Sequence, residues 1–264
     1  MKVGVFITAR LKSTRLPLKL LHLIKGKRVI DHVIERCKAL ISDQVILCTS
    51  YVPQDAPLVE VAQQQGIPYF IGHPDDVLRR LYDAANFFHI DYLLCVTADD
   101  PFFSIEYANR MANEAYLHKP DFMYVEDLPI GVGIYGLRFE ALKTVVEFKD
   151  QVDTEIWGYW FNQPALFQVH TLQALPQDRR DVRLTLDTYE DLMFLQQLGE
   201  KLPSQESMSY HALLRVIDGI PLESHANRNI VQRQLPDDAR VRISARFTSQ
   251  RERFMEIKRN NYQK

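Results

Sequence analysis

The sequence has little cysteine and little glycine, and it has no long apolar run. Its 3 cysteines among 264 residues are too few and too scattered for a disulfide framework or a zinc site. Each of them (Cys37, Cys48 and Cys95) lies in an apolar stretch that is typical of a buried, reduced thiol. The apolar runs are far shorter than the roughly 20 residues that cross a bilayer, which excludes a membrane-spanning protein. Glycine contributes only 10 residues, and no linker rich in glycine, proline or serine divides the chain.

The chain also lacks an excess of charge of either sign. Its 32 lysine and arginine residues stand against 34 acidic residues, a net charge of -2, so no basic field indicates nucleic-acid binding. Hydrophobic residues make up 46% and charged residues 25%, which excludes a disordered chain. Met1 and Lys2 lead directly into a strand-like run, without the apolar stretch and cleavage site of a signal peptide. We therefore expect a soluble, cytoplasmic protein.

The first half of the chain alternates apolar, strand-like runs with segments of helical spacing. The predicted strands are Lys2–Thr8, Val45–Thr49, Tyr69–Gly72 and Tyr92–Thr97. The predicted helices between and after them are Val29–Leu40, Pro57–Gln65, Val77–Phe88 and Ile105–Leu117. Continuously apolar strands that alternate with helices indicate an α/β fold with a mostly parallel central sheet flanked by helices. Ligands of such sheets bind beyond the carboxyl ends of the strands, so the loops after Thr8 and Thr97 are the first places to examine.

The second half of the chain is less regular. Its predicted strands are Asp121–Val125, Ile134–Leu137, Leu166–Leu172 and Val182–Leu186. Its predicted helices are the aromatic-rich Asp153–Phe161 and then Tyr189–Leu198. From Arg240 onward, 8 lysine and arginine residues stand against 2 acids. We interpret residues 1–235 as one α/β domain and 236–264 as a basic, solvated helical tail, although such a tail can also bind phosphates or membranes.

The segment after the first strand reads TARLKSTRLPLK and contains 4 cations and 2 hydroxyl side chains within residues 10–19. Guanidinium groups fork onto phosphate oxygens, and hydroxyl and backbone N–H groups complete the contacts, so this mixture suits a polyphosphate. A solvated basic loop has the same composition. The position at the carboxyl end of a strand makes the two interpretations equally good.

Two further segments carry acidic residues at predicted strand ends. Asp99 and Asp100 follow an apolar strand as a pair whose charges repel unless a cation neutralises them, and a divalent metal is the usual solution. Asp-Pro also opens helices, so a capping role for Asp100 is an equal alternative. Asp187 ends an alternating run, and Thr188 followed by Glu190 and Asp191 resembles a capped helix start. Asp187 also offers the second carboxylate that a metal at this edge would need.

Together these segments resemble a known family, the cytidylyltransferases that make CMP-activated sugars. The likeness is to the CMP-Kdo and acylneuraminate synthetases, and within them to the branch named for the spore-coat polysaccharide protein SpsF. It is carried, in order, by ARLKSTRLPLKLLHLIKGKRVIDHVIERC, GHPDDVLRRLYDAA, TADDPF and RLTLDTYEDL. Lys12, Leu18 and Ala98 stand where relatives usually have glycine, and Tyr135 and Ile156 stand where this branch often has Glu and His. The matches cover roughly residues 1 to 200.

The resemblance implies a single nucleotide-binding domain of the Rossmann-like (GT-A) type, with an acceptor and dimerisation subregion near residues 120–175. It implies that CTP is bound by the segment after the first strand, by GHPDD and by TADDPF. The expected nucleotide-binding residues are Thr8, Ala9, Arg10, Ser13, Arg15, Lys19, Gly72, Asp76 and Asp99. Of these, Arg10, Arg15, Lys19 and Asp99 are expected to be catalytic. Mg²⁺ is expected on Asp99 and Asp187. The acceptor is expected near Asp100, Tyr135, Arg179 and Arg180, with Asp100 as a candidate general base.

The implied reaction is Mg²⁺-dependent transfer of CMP from CTP to a sugar acid or related small acceptor, with release of pyrophosphate, for surface polysaccharide biosynthesis. We expect a homodimer that binds neither nucleic acid nor membrane. Three alternatives remain: a phosphorylated non-sugar acceptor, a glycosyltransferase, and a nucleotide-responsive regulatory subunit. A glycosyltransferase usually carries a D-x-D motif, which is absent after the fourth strand. A regulatory subunit would be free to lose one of the basic or acidic residues that are all present here.

Overall fold

The computed structural model describes residues 1–204 and 208–263, and Lys264 of the predicted tail lies outside them. The strands are β1 (Val3–Thr8), β2 (Leu23–Ile24), β3 (Lys27–Arg28), β4 (Gln44–Ser50), β5 (Tyr69–Gly72), β6 (Tyr92–Thr97), β7 (Phe122–Glu126), β8 (Tyr135–Arg138) and β9 (Val169–Gln173). The helices are α1 (Val29–Lys38), α2 (Ala56–Gln64), α3 (Val77–Phe88), α4 (Ile105–His118), α5 (Phe139–Phe148), α6 (Tyr189–Lys201), α7 (Tyr210–Asp218), α8 (Asp237–Ser249) and α9 (Arg251–Tyr262). In the described residues, no helix combines the length and apolarity that a bilayer crossing requires.

In this part of the chain, the central sheet has seven strands in the order β5-β4-β1-β6-β8-β7-β9. β5, β4, β1 and β6 are parallel, β8 is antiparallel to both its neighbours, and β9 is parallel to β7. The predicted α/β fold with a mostly parallel sheet is therefore confirmed. The register pairs Thr8 with both Cys48 and Thr97, so the loops after β1, β4 and β6 leave the same edge of the sheet.

Helices cover both faces of the sheet, as continuously apolar strands require. Val3, Val5 and Ile7 of β1 point into a core that includes buried residues of α1, α2, α4, α6 and α7. Phe6 points to the opposite face, where the core is built with α3, α5, α8 and α9. Successive side chains of a strand alternate between faces, so one short apolar strand contributes to both cores.

Two predicted elements are wrong. The predicted helix Asp153–Phe161 contains only a short 3-10 turn, Gly158–Trp160, because Thr154 directs its backbone N–H to Asp75 and its hydroxyl oxygen to the N–H of Leu78. The predicted strand Val182–Leu186 forms a single bridge, between Arg183 and Ile130, instead of a ladder.

The C-terminal segment is packed onto the protein, so the prediction of a solvated tail is wrong. Phe247 and Phe254 are buried against Phe148 of α5, with ring centroids 5.2 and 5.1 Å from it. Basic residues here also have specific partners: Arg246 donates to the Phe148 carbonyl at 2.6 and 3.0 Å, and Lys258 lies 3.2 Å from Asp121. α8 and α9 therefore complete the second core.

This packing predicts the effect of a substitution at Phe254, whose side chain is 0% exposed. Phe254→Ala should lower the free energy of unfolding by about 3–5 kcal/mol, because a large buried ring leaves a cavity. The matched control is Met255→Ala on the same helix, which is 41% exposed and should cost less than about 1 kcal/mol. Denaturant unfolding measures both variants, and equal small losses would show that the C-terminal helices do not contribute to the core.

Candidate active site

Three predicted segments meet at the carboxyl edge of β1 and β6. The ammonium of Lys19 lies between two carboxylates, 2.5 Å from Asp99 Oδ2 and 2.9 Å from Asp187 Oδ1. Arg15 approaches the same Asp187 oxygen, with its Nη2 at 3.2 Å. The structure therefore brings Arg15, Lys19, Asp99 and Asp187 together, although the chain separates them by up to 172 positions.

The backbone fixes this convergence. Leu18 adopts a left-handed conformation (φ 53°), which turns the chain into the 3-10 turn Lys19–Leu21. On the acidic side, the N–H of Leu186 donates to the carbonyl of Asp99 at 2.9 Å. The residue before Asp187 is thereby held against Asp99, so the two carboxylates are placed by main-chain contacts as well as by the lysine.

Asp187 is supported from behind by a buried network. Arg183 Nη2 donates to Asp187 Oδ2 at 2.7 Å, and Arg183 Nε donates to Asp191 Oδ1 at 2.9 Å. Asp191, fully buried, also accepts from the backbone N–H of Asp187 and Thr188 and from the side chain of Asn227. Thr188 and Asp191 form the capping box of α6, which is the helix start that the sequence indicated.

Arg183, Asp191 and Asn227 support the site, although none of them was among the predicted site residues. The T-x-x-D spacing of Thr188 and Asp191 predicts a helix cap. It does not predict that Asp191 also supports Asp187. Asn227 carried no signal, since it lies 36 residues after Asp191.

The charges of the site shift the pKa values of its groups. Burial by itself lowers the pKa of Lys19, but attraction to Asp99 and Asp187 outweighs it and raises the pKa above the usual value. Burial opposes ionisation of Asp187, yet Lys19 and Arg15 hold its pKa below the usual value. Burial and then the charge of Asp99 raise the pKa of Asp100 to about 7. Lys19 and Asp187 are thus both charged at neutral pH.

Asp100 does not cap a helix, since Ser104 is the residue that caps α4. Its Oδ2 accepts a hydrogen bond from the hydroxyl of Thr97, while its buried Oδ1 has no partner among the described residues. A buried carboxylate oxygen without a partner is costly unless a ligand or water satisfies it. Asp100 is also close enough to Asp99 for the charge of Asp99 to raise its pKa.

The remaining residues of the basic segment lie beside this cluster. Arg10 is directed to the loop after β5: its Nη1 donates to the Pro74 carbonyl and lies 3.1 Å from Asp75 Oδ1, and its Nε lies 3.4 Å from buried Asp55. Ser13 Oγ accepts from the N–H of Leu16. Thr8 and Ala9 form the end of β1 and the first loop position, where the Ala9 N–H donates to the Cys48 carbonyl.

Gly72 and Asp76 lie at the carboxyl end of β5. Asp76 caps α3 by accepting from the N–H of Arg79, and it pairs with Lys149 and Thr154, so it is buried and satisfied. A Cβ on Gly72 would lie 2.8 Å from Cγ of buried Arg80, which explains glycine at this position. Both residues line a cleft of about 520 Å³, together with Tyr51, His73, Arg79, Asp83, Val146 and Lys149.

The predicted acceptor residues do not form one group. Tyr135 begins β8 and packs its ring edge-to-face on Trp157, with centroids 5.1 Å apart. Arg179 contacts the Ala174 carbonyl and Asp127, and Arg180 forks onto Asp218 at 2.7 and 2.8 Å. The two arginines line a separate cleft of about 410 Å³ with Asp127, Leu128 and Asp181. Their contacts are with these neighbours and not with the Lys19 cluster.

The donor set at Asp99 and Asp187 fits Mg²⁺. The two carboxylate oxygens already share one cation, the ammonium of Lys19, and both are partly exposed. No group of three metal-ligating side chains occurs within residues 1–204 and 208–263. Mg²⁺ commonly takes only one or two carboxylates and completes its coordination with waters and substrate phosphates, so two are enough.

The basic loop after β1 and the two carboxylates at the same sheet edge are the features on which the family resemblance of the sequence rests. Residues 5–231 match the family described as Cytidylyltransferase. The chain belongs to the cytidylyltransferase family, which confirms the resemblance carried by its motifs.

Two curated relatives match along most of their length. An uncharacterized protein of Methanocaldococcus jannaschii is 29% identical over 239 residues, covering 88% of this chain and 97% of the relative. The spore coat polysaccharide biosynthesis protein SpsF of Bacillus subtilis is 26% identical over 224 residues, covering 81% of this chain and 93% of SpsF.

Solved structures share the fold. A cytidylyltransferase from Leptospira borgpetersenii superposes with a TM-score of 0.77 at 23% identity, covering 89% of this chain and all of that chain. A CMP:2-keto-3-deoxy-manno-octonic acid synthetase complexed with CTP gives a TM-score of 0.61 at 17% identity, covering 76% and 99%. A Mycobacterium tuberculosis protein, Rv0371c in complex with manganese, superposes with a TM-score of 0.54 at 16% identity. The match covers 74% of this chain and 98% of that chain.

The network behind Asp187 predicts a strong dependence on Asp191. Asp191→Ala should lower the free energy of unfolding by about 3–5 kcal/mol, because it leaves a buried arginine without one of its two carboxylate partners. The control Glu190→Ala changes an exposed carboxylate one position earlier and should cost less than about 1 kcal/mol. Thermal or urea unfolding distinguishes them, and similar small losses in both variants would contradict the network's role.

Proposed function

We propose that the protein transfers CMP from CTP to a sugar acid or a related small acceptor and releases pyrophosphate, in a reaction that depends on Mg²⁺. The observation that carries this proposal is the Lys19 ammonium between Asp99 and Asp187 in a chain of the cytidylyltransferase family. The neighbour complexed with CTP and the relative named for spore coat polysaccharide biosynthesis support CTP as the donor and surface polysaccharide as the pathway.

The triphosphate would be bound by the basic segment after β1. Arg15 is 46% exposed and touches one carboxylate, so its guanidinium is available to fork onto phosphate oxygens. Lys19 and Arg10 would add positive charge, and Ser13 with the backbone of Thr8 and Ala9 would supply smaller hydrogen-bonding groups. Gly72 and Asp76 would border the nucleoside at the end of β5. Phosphoryl transfer needs mainly such alignment and charge neutralisation from the protein.

Mg²⁺ would be held by Asp99 and Asp187. When bound, it neutralises the charge that develops on phosphate oxygens in the transition state. Arg183 keeps its hydrogen bond to Asp187 Oδ2, so Asp187 presents its other oxygen, Oδ1, toward the site. The neighbour complexed with manganese supports the use of a divalent ion.

The acceptor would lie between Asp100 and Tyr135. Asp100, which follows Asp99 at the end of β6, is our candidate for the group that takes the proton of the acceptor hydroxyl as its oxygen attacks the α-phosphorus. The exposed face of Tyr135 can pack against the acceptor ring. Arg179 and Arg180 would act only on a large acceptor, because they line a separate cleft.

The proposal also includes a cytoplasmic homodimer that forms through the subregion of residues 120–175, as the family resemblance implies. Ile130, Tyr135 and Val152 are exposed apolar side chains of this subregion and would be available to such an interface. Sedimentation of the purified chain tests this part directly.

The first experiment incubates the pure protein with Mg²⁺, each of the four NTPs in turn and a panel of sugar acids and phosphorylated acceptors. We expect pyrophosphate release with CTP in the presence of an acceptor. Asp99→Asn should reduce turnover by at least ~10²-fold, because a ligand that stabilises transition-state charge is lost. Asp237→Asn, an exposed change at the start of α8, is the control.

Two outcomes would contradict the proposal. One is turnover with another nucleotide in preference to CTP, and the other is near-normal turnover in well-folded Asp99→Asn.

Arg15 provides a second prediction. Arg15→Lys keeps the charge but loses the planar, two-pronged geometry, so kcat/KM for CTP should fall by roughly 10–150-fold, equivalent to about 1.5–3 kcal/mol. The melting temperature should change little, because a half-exposed ion pair contributes little to stability. Arg251→Lys on α9 is the control. An unchanged kcat/KM would mean that Arg15 is a surface residue, and unfolding would mean that its pair with Asp187 is structural.

A further inference from the structure

The position of Lys19 has a consequence for metal binding, which rests on the proposed function. Its ammonium occupies the space between the two carboxylates assigned to Mg²⁺, and its side chain is only 14% exposed. We infer that Lys19 is a place-holding cation: it excludes a divalent ion from the free protein, so that the metal enters together with the triphosphate.

Competition between the ammonium and a metal follows from distance and charge. The ammonium lies 2.5 Å from Asp99 Oδ2 and 2.9 Å from Asp187 Oδ1. A bound Mg²⁺ would stand about 2.0–2.1 Å from a carboxylate oxygen. Two cations that share the same pair of oxygens would be within a few ångströms of each other, where their repulsion is severe. The ammonium must therefore leave before the metal can bind both carboxylates.

The triphosphate can move the ammonium, because it supplies negative charge to replace the carboxylates. Lys19 lies on the basic segment proposed to bind the phosphates, and its flexible four-carbon side chain lets the charge move without a change in the backbone. Arg15 contacts the same Asp187 oxygen and is directed to the phosphates by the same attraction. Phosphate binding would thus free Asp187 Oδ1 to hold a metal.

The carboxylates keep their positions when Lys19 leaves. Arg183 still holds Asp187 through Oδ2, and the Leu186 N–H still donates to the carbonyl of Asp99. The pair is therefore prepared for a metal in advance, and the ammonium prevents premature occupation. Lys19 acts here as a positioning residue, in addition to its proposed contact with phosphate.

The test measures metal binding without nucleotide. Mn²⁺ is titrated into the protein and followed by electron paramagnetic resonance, and the shift in melting temperature with Mg²⁺ is recorded in parallel. Lys19→Met should bind Mn²⁺ at least ~10-fold more tightly than the wild-type protein. Lys19→Arg, which keeps a cation, and Lys12→Met, which removes a charge from the same loop without touching either carboxylate, should both resemble the wild type. Adding Asp99→Asn to Lys19→Met should abolish the gain.

The inference is overturned if the free wild-type protein binds Mn²⁺ as tightly as Lys19→Met, or if the gain survives Asp99→Asn. If Lys19→Met is unstable, Lys19→Gln is the second variant. If Mg²⁺ restores the fold of Lys19→Gln, the inference is supported. If Lys19→Gln stays unfolded in the presence of Mg²⁺, the inference is overturned. Failure of the proposed function is seen separately, as absence of pyrophosphate release from the wild-type protein with CTP.

Discussion

The contact of one ammonium with two carboxylates organises the functional edge of this protein. Lys19 neutralises a pair of acids that would otherwise repel each other, and it does so where three loops leave the sheet. The parallel register of β1 and β6 makes the contact geometrically available, since Thr8 and Thr97 lie side by side. The architecture of the sheet and the chemistry of the site therefore depend on the same alignment.

Buried ion pairs anchor both ends of the site. At the acidic end, Asp191 and Arg183 fix Asp187, and at the other end Asp55 anchors Arg10 beside the loop after β5. The free-energy cost of removing these charges from water offsets most of the attraction within each pair. The pairs therefore serve mainly to hold the side chains in position. Arg15, whose side chain is 46% exposed, contacts Asp187 and is free enough to reach a ligand.

The sequence allowed the parallel part of the fold and the convergence of the Thr8–Lys19, Asp99 and Asp187 segments to be predicted, because strand ends of a parallel sheet share one edge. Other features depended on tertiary contacts. The aromatic spacing of Asp153–Phe161 imitated a helix, although Trp157 and Phe161 pack together on Phe122 from a segment that contains only a 3-10 turn. The many basic residues after Arg240 concealed the buried Phe247 and Phe254. Asn227 supports the site from a position that no local pattern marks.

The site is assembled from chain segments that are far apart in sequence. Lys19 meets Asp99 80 residues later and Asp187 168 residues later, and Asn227 completes the support of Asp191. During synthesis from the N-terminus, the basic loop therefore emerges long before its acidic partners exist. The parallel sheet and these contacts of high sequence separation place the formation of the site late in folding. The groups proposed to bind the metal and the triphosphate are consequently all present only when residue 187 and its supporting residues have been made.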